Sequence, residues 1–304
     1  MKTKALVILM KHSPFTLAAL RERLFSLSQT YAFLQKETLA NSYFGTPIEA
    51  LRFGCGKRLL VFVGCHHGSE YLTSFLLLDF AEELARCIDA GERRYGLDLR
   101  AVAECRRLVI LPCLNPDGMQ LATEGLDPDS IHAERLLRYH RNNTDFSHWQ
   151  ANGRGVDLNH NYNYRFDAYK ALEQKLGITA GETRYAGEYP ESEPETRALA
   201  RLIRTEHAFL SCVLSFHSQG EVIYYHDSPL TAQGAAFLAR TGGYILDRAT
   251  GLASYGGLTD WLSSEGIPAY TIEIGKGENP LPTENAPYLY ASLREMLFRS
   301  LAFF

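Results

Sequence analysis

The sequence predicts an α/β fold: a single domain over residues 1–304, with a central mixed, mostly parallel twisted sheet flanked by helices. Three observations predict it. Short β-rich apolar runs recur along the chain, stretches with helical spacing fall between them, and no linker, repeat or low-complexity segment divides the 304 residues. Strands and helices that alternate in this way build a sheet covered on both faces.

In chain order, the run ALVILM at 5–10 reads as a first strand. Residues 15–34 carry apolar side chains at helical spacing. Strands follow at 48–53 and 59–64, a helix at 73–87 and a strand at 108–114. The polar stretch 121–155, with NNTDFSHWQANGRG, is the longest irregular region. Ser192-Glu193-Pro194-Glu195 has the form of a capping box with proline in the first turn, and starts a helix running to 206. Strands at 212–216 and 222–225, a helix at 231–249 and a strand at 269–274 come next. A last helix at 284–303 sets Leu289, Leu293, Met296, Leu297 and Leu301 on one stripe. In such folds the loops at the carboxyl ends of the strands hold the site.

Composition excludes several roles. With 46% hydrophobic and 22% charged residues, the chain has an ordinary globular makeup. A formal charge of −4 gives no electrostatic case for nucleic acid or an anionic membrane. No obligate protein partner is evident. The apolar run 5–10 ends at Lys11, too short for a signal-peptide core or a membrane span. The 6 cysteines form no C-x-x-C pair, and Cys65, Cys113 and Cys212 lie in or beside apolar runs. Such thiols suit a reducing compartment, so the cytoplasm is the expected location.

The run VFVGCHHGSE ends a strand in two adjacent histidines, with a glutamate three places after the second. His67 and Glu70 offer an imidazole and a carboxylate that a turn can make converge, and a catalytic zinc takes three such ligands plus water. Alone, H-x-x-E is a weak signal, because a surface histidine and a helix-start glutamate give the same pattern. His217, in VLSFHSQGE, is the best third ligand because it too closes an apolar strand. His12, His132, His140, His148 and His207 sit in polar or helical surroundings, and His226 follows a strand in a turn-like segment. Glu273, in AYTIEIGKG, interrupts an apolar strand beside Gly275. A carboxylate there needs a partner or a task, and a general base for a metal-bound water is such a task. An edge-strand glutamate facing water is the plain alternative.

These residues resemble the carboxypeptidase A-like zinc metallopeptidase superfamily. G-x-H-x-x-E is matched by Cys65-His66-His67-Gly68-Ser69-Glu70 with Gly64 one place displaced, and N-P-D-G by Asn115-Pro116-Asp117-Gly118. GVDLNHN at 155–161, His217-Ser218, Gly256-Gly257-Leu258-Thr259-Asp260-Trp261 and Glu273 follow in the family's order. The resemblance implies one zinc per chain, held by His67, Glu70 and His217, with Glu273 as catalytic base. It aligns Arg154 with the cation that stabilises the tetrahedral oxygen, and Arg141 in YHRNN is a rival. Asp157 either orients a ligand histidine or forms a turn. His66 is expected to stand behind the ligands or to face solvent.

The finer likeness, carried by WQANGRGVDLNHN, HSQGEVIYY and TIEIGKGENPLP, is to bacterial γ-D-glutamyl-diamino acid peptidases, which cut peptidoglycan stem peptides. It implies a small murein peptide as substrate and a place in cell-wall recycling. Where digestive members pair Asn with Arg to grip a terminal carboxylate, this chain has Asn159-His160. Histidine lacks the guanidinium fork and loses its charge above about pH 6.5. Tyr255 is the nearest stand-in for the family's mobile tyrosine, and Thr259 occupies the position that tunes the specificity pocket. An ordinary metallocarboxypeptidase, an N-acyl amino acid amidohydrolase and a catalytically silent peptide-binding module are the alternatives.

Overall fold

The computed structural model describes residues 15–304, and the strand expected over 5–10 lies outside them. In chain order the elements are α1 (Leu17–Thr30), β1 (Gln35–Asn41), β2 (Pro47–Phe53), β3 (Arg58–Gly64), α2 (Leu72–Ala90), a small hairpin of β4 (Arg93–Arg94) and β5 (Leu97–Asp98), α3 (Leu99–Cys105) and β6 (Arg106–Leu111). Then follow α4 (Pro116–Glu124), α5 (Ala133–Tyr139), α6 (Phe166–Leu176), α7 (Pro194–Glu206), β7 (Leu210–Ser218), β8 (Val222–Tyr225), α8 (Ala232–Gly242), β9 (Ile245–Asp247), α9 (Leu258–Ser264), β10 (Ala269–Ile274) and α10 (Ala286–Phe303).

The main sheet runs β1-β2-β6-β3-β7-β10-β8-β9. Its centre, β6-β3-β7-β10, is parallel, while β1–β2, β2–β6 and β10–β8 pair antiparallel. The period-2 pleat divides the apolar strands between two cores. Leu60 and Phe62 of β3 pack with α1, α2 and α10, whereas Leu59, Val61 and Val63 pack with residues of α7 and α9. Both faces are therefore dry, which is why these strands are apolar throughout. No helix among the described residues is long and apolar enough to cross a membrane.

Four differences from the sequence-based expectation have physical reasons. Strand β1, QKETLAN, is polar and half-exposed because it is the antiparallel edge, so it lacks the apolar signature of a buried strand. The helix expected over 231–249 stops at Gly242, where Gly243 takes φ 72 and turns the chain into the edge strand β9. The region expected to be irregular holds the end of α4 and all of α5, helices too short to show a period. The capping box does not form: Glu193 precedes α7 without a side-chain cap, and Ser192 instead bonds Glu193 Oε1 and Asn161 Nδ2.

Topology brings the ends of three strands together. Glu273 lies opposite His217 across β10 and β7, and Gly64 lies opposite Phe216 across β3 and β7. Residues more than a hundred positions apart thus meet at one carboxyl edge.

Candidate metal centre

His67 and Glu70 sit in a tight turn that the rest of the chain pins from outside. Gly68 N donates to Gln150 O at 3.0 Å and Ser69 N to Trp149 O at 2.9 Å. The Asn115 amide donates to the carbonyls of His66, Gln150 and Ala151 at 3.0, 3.1 and 3.2 Å. The N-P-D-G segment is thereby a clamp on the turn. Glycine is required at 68 for close approach: a Cβ there would stand 2.2 Å from the Gly118 carbonyl oxygen. The left-handed residue of the turn is Cys65, at φ 50.

Three side chains converge. Ligand atoms of His67, Glu70 and His217 all lie within 4.8 Å of one another. His67 Nδ1 is 2.9 Å from Glu70 Oε1, and His217 Nδ1 is 3.0 Å from Glu70 Oε2. The opposite ring nitrogens are also held, His67 Nε2 at 3.2 Å from Asp157 Oδ1 and His217 Nε2 at 3.1 Å from Ser215 Oγ. Each imidazole therefore presents Nδ1 to the cluster while a polar partner fixes its ring, as a metal-binding histidine requires. His66 is fully buried, with Nε2 3.1 Å from Tyr162 OH and its ring stacked on His217 at 5.1 Å. It braces the ligand rather than facing solvent.

Electrostatics reinforce the arrangement. Burial would raise the Glu70 carboxyl, but His67 and His217 outweigh it and hold it down at about 2. Burial would depress His67, but Glu70 and Asp157 hold its imidazole well above the usual range. A cation is what the two carboxylates demand, and a divalent metal meets that demand with the histidines neutral. Burial, with His217 and His67 beside it, keeps His66 well below its usual value and hence uncharged. Two imidazoles and one carboxylate, buried and individually oriented, fit a catalytic zinc with a position left open.

A cavity of about 470 Å³ opens beside the cluster, lined by His67, His217, Glu273, Asp157, Asn159 and His160 among others. Burial and the neighbouring Glu70 push the Glu273 carboxyl well above the carboxylate range. Asn159 Oδ1 accepts from Leu258 N at 3.1 Å. His160 Nδ1 is 2.7 Å from the Tyr255 carbonyl, and its ring stacks on Tyr169 at 4.4 Å.

Other expected residues lie elsewhere. The Arg154 guanidinium packs 5.5 Å from the Tyr43 ring centroid and 3.9 Å from Glu193 Oε2, outside the cavity wall. Arg141 is exposed in a loop at φ 54, also outside it. Tyr255 turns to Arg165, whose guanidinium lies 4.3 Å from its ring, while Thr250, Leu252 and Ala253 line the cavity. Thr259 bonds Thr271 at 3.1 Å, away from the wall. Sequence reasoning did not single out Gln150, Thr183 and Arg184, which do line it. They come from loops without periodicity, and nothing in their spacing points to the cavity.

The chain is 29% identical over 269 residues to γ-D-glutamyl-L-diamino acid endopeptidase 1 of Lysinibacillus sphaericus, covering 87% of this chain and 66% of the relative. It therefore spans just under two thirds of that protein's length. Among solved structures it matches bovine thrombin-activatable fibrinolysis inhibitor at 18% identity with a TM-score of 0.68, covering 94% of this chain and 96% of that one. Murein-tripeptide amidase MpaA of Escherichia coli O157 matches at 22% identity with a TM-score of 0.52, covering 86% and 91%. These two likenesses establish the fold. The zinc carboxypeptidase family model matches residues 23–235, which include His67, Glu70 and His217. The chain belongs to the zinc carboxypeptidase family, and His67, Glu70 and His217 are positioned to hold a metal ion.

Proposed function

We propose that this protein hydrolyses the γ-D-glutamyl–diamino acid amide bond of small murein peptides, with Glu273 as general base. The observation that carries the chemistry is the convergence of His67, Glu70 and His217 beside Glu273 in one open cavity. The likeness to the γ-D-glutamyl-L-diamino acid endopeptidase supports the substrate class. Zinc, when bound, supplies a Lewis acid and lowers the pKa of a coordinated water. Glu273 lies opposite His217 in the parallel register and faces the cavity, and with a divalent cation offsetting the burial and the Glu70 charge that raise it, its carboxyl would ionise, accept a proton there and return it to the leaving amine.

Specificity follows from the residues around that centre. His160, tied to the Tyr255 carbonyl and stacked on Tyr169, offers the cavity one ring nitrogen and no fork. Bidentate capture of a free C-terminal carboxylate at that position is therefore disfavoured, which argues against an ordinary carboxypeptidase. Asn159 and His160 are proposed to bind the leaving diamino acid, with the Tyr255 carbonyl holding His160 in the wall and Thr259, bonded to Thr271, standing outside it. Arg154 braces Tyr43, so any contribution it makes to the oxyanion requires the loop to shift. All six cysteines are free, in keeping with a reducing compartment and a role in recycling wall peptides.

The test is incubation of zinc-loaded protein with L-alanyl-γ-D-glutamyl-diaminopimelate, its D-alanyl tetrapeptide and simple C-terminal peptides, with products read by mass spectrometry. Release of diaminopimelate from the tripeptide is expected. Trimming of ordinary peptides alone would overturn the substrate assignment.

A further inference from the structure

A second cavity of about 400 Å³ adjoins the first on the other side of the metal turn. It is lined by Ser69, His148, Glu182, Gln219 and Asn279, and it shares Gln150, Thr183 and Arg184 with the first. Ser69 precedes the ligand Glu70, and Asn279 Nδ2 lies 3.4 Å from Glu70 Oε1. The second cavity thus reaches the Glu70 side of the ligand cluster, and the two cavities meet along Gln150, Thr183 and Arg184. A substrate that extends from the cluster into both cavities passes Arg184.

Arg184 is set there by its backbone. Its φ is 68, a left-handed conformation that costs an L-residue energy and persists only where surroundings enforce it. Its N–H donates to Asp157 Oδ2 at 2.9 Å, and its carbonyl accepts from Tyr169 OH at 2.7 Å. Asp157 in turn holds His67 Nε2 at 3.2 Å, so one carboxylate links the arginine's backbone to a metal ligand. The guanidinium makes no hydrogen bond or ion pair with another described residue (its backbone bonds excepted), and it is the one arginine or lysine side chain among those lining either cavity. An unpaired planar fork at this place matches a carboxylate close to the cleaved amide.

Resting on the murein-peptide reading above, we propose that Arg184 binds the free α-carboxylate of the D-glutamyl residue and selects for it. A γ-linkage leaves that carboxylate uncapped a few carbons from the scissile carbonyl, whatever follows the diamino acid. In an ordinary α-linked peptide a carboxylate stands there only where that residue's own side chain is acidic, whereas the γ-glutamyl linkage always supplies one. His160, Thr250 and Leu252 on the first cavity's wall are left to face the leaving diamino acid.

The experiment compares L-alanyl-γ-D-glutamyl-diaminopimelate with the same tripeptide carrying D-isoglutamine, in which only that carboxylate becomes an amide. Zinc-loaded wild type, Arg184→Gln and Arg184→Lys are assayed for KM and kcat, and thermal unfolding confirms that each is folded. Arg184→Gln is expected to raise KM for the acid form roughly 10- to 100-fold and to leave the amidated form unchanged, with Arg184→Lys between. An equal fall in kcat on both forms, or no change on either, would overturn the assignment. Calorimetric binding of both tripeptides to Glu273→Gln, with and without Arg184→Gln, separates this proposal from the parent reading. If wild type cleaves neither tripeptide, the murein assignment falls, and Arg184 is judged by binding alone. Preference for the acid form that vanishes with Arg184→Gln sustains it; equal affinities, or no binding, sink it.

Discussion

Glu70 touches both ligand histidines, while Glu273 faces the cavity from the next strand, and that difference separates their roles. Exchanging Glu273 for Gln keeps the shape and removes the base. Glu273→Gln is expected to retain about one zinc per chain by plasma spectrometry and to lose on the order of 10²- to 10⁴-fold in kcat. A variant with wild-type rates would remove Glu273 from the chemistry. Asp157 acts through His67, so Asp157→Asn should weaken zinc affinity about 10- to 100-fold in a chelator competition, with activity per bound zinc much less affected. At this scale the grouping of His67, Glu70 and His217 was legible in the sequence, because His217 closes one apolar strand, His67 and Glu70 follow the end of another, and the family resemblance joined them. Arg184 was not: its role depends on a left-handed backbone and on two cavities that only the fold creates.

Elements were legible in proportion to their burial. Strands β3, β7 and β10 are apolar because both faces are covered, and α2 is rich in apolar residues because it is buried on most sides, among the sheet, α1 and α10. The edge strand β1 and the short helices α3 to α6 lack that pressure and so lack the pattern. What cannot be read locally is backbone-on-backbone contact. Gly68 looks like a flexible turn residue, yet its site is restrictive because the Gly118 backbone lies against it. Gly68→Ala is expected to push the turn off the Asn115 clamp. It should destabilise the protein by roughly 1–3 kcal/mol, the usual cost of overpacking, and lower its zinc content. Denaturant midpoints and metal analysis would show it; full zinc occupancy with unchanged stability would contradict the close-packing account.

At the scale of the whole molecule, the fold keeps a buried acidic group that pairs with no cation among the described residues. Glu195 is fully buried, accepts from Tyr43 N at 3.2 Å, and takes a hydrogen bond from Asn152, which also bonds Glu193. Burial and the nearby Asp117 push its carboxyl up to about 8 from an ordinary 4.5. A folded state that holds a proton the unfolded chain releases is favoured below pH 4.5 and loses that advantage as pH rises to about 8. Glu195→Gln is therefore expected to be increasingly stabilised relative to wild type between pH 5 and 8, reaching on the order of 4 kcal/mol, in thermal or urea unfolding. A pH-independent difference would show that Glu195 is ionised in the fold. All of this surrounds one claim, that His67, Glu70 and His217 hold zinc with Glu273 facing its open side. Anomalous diffraction at the zinc edge from crystals of the zinc-loaded protein tests it most directly. A single peak bonded by both histidine Nδ1 atoms and the Glu70 carboxylate, with Glu273 across the open position, is the expected result. A peak at other side chains, or none at that cluster, would contradict it.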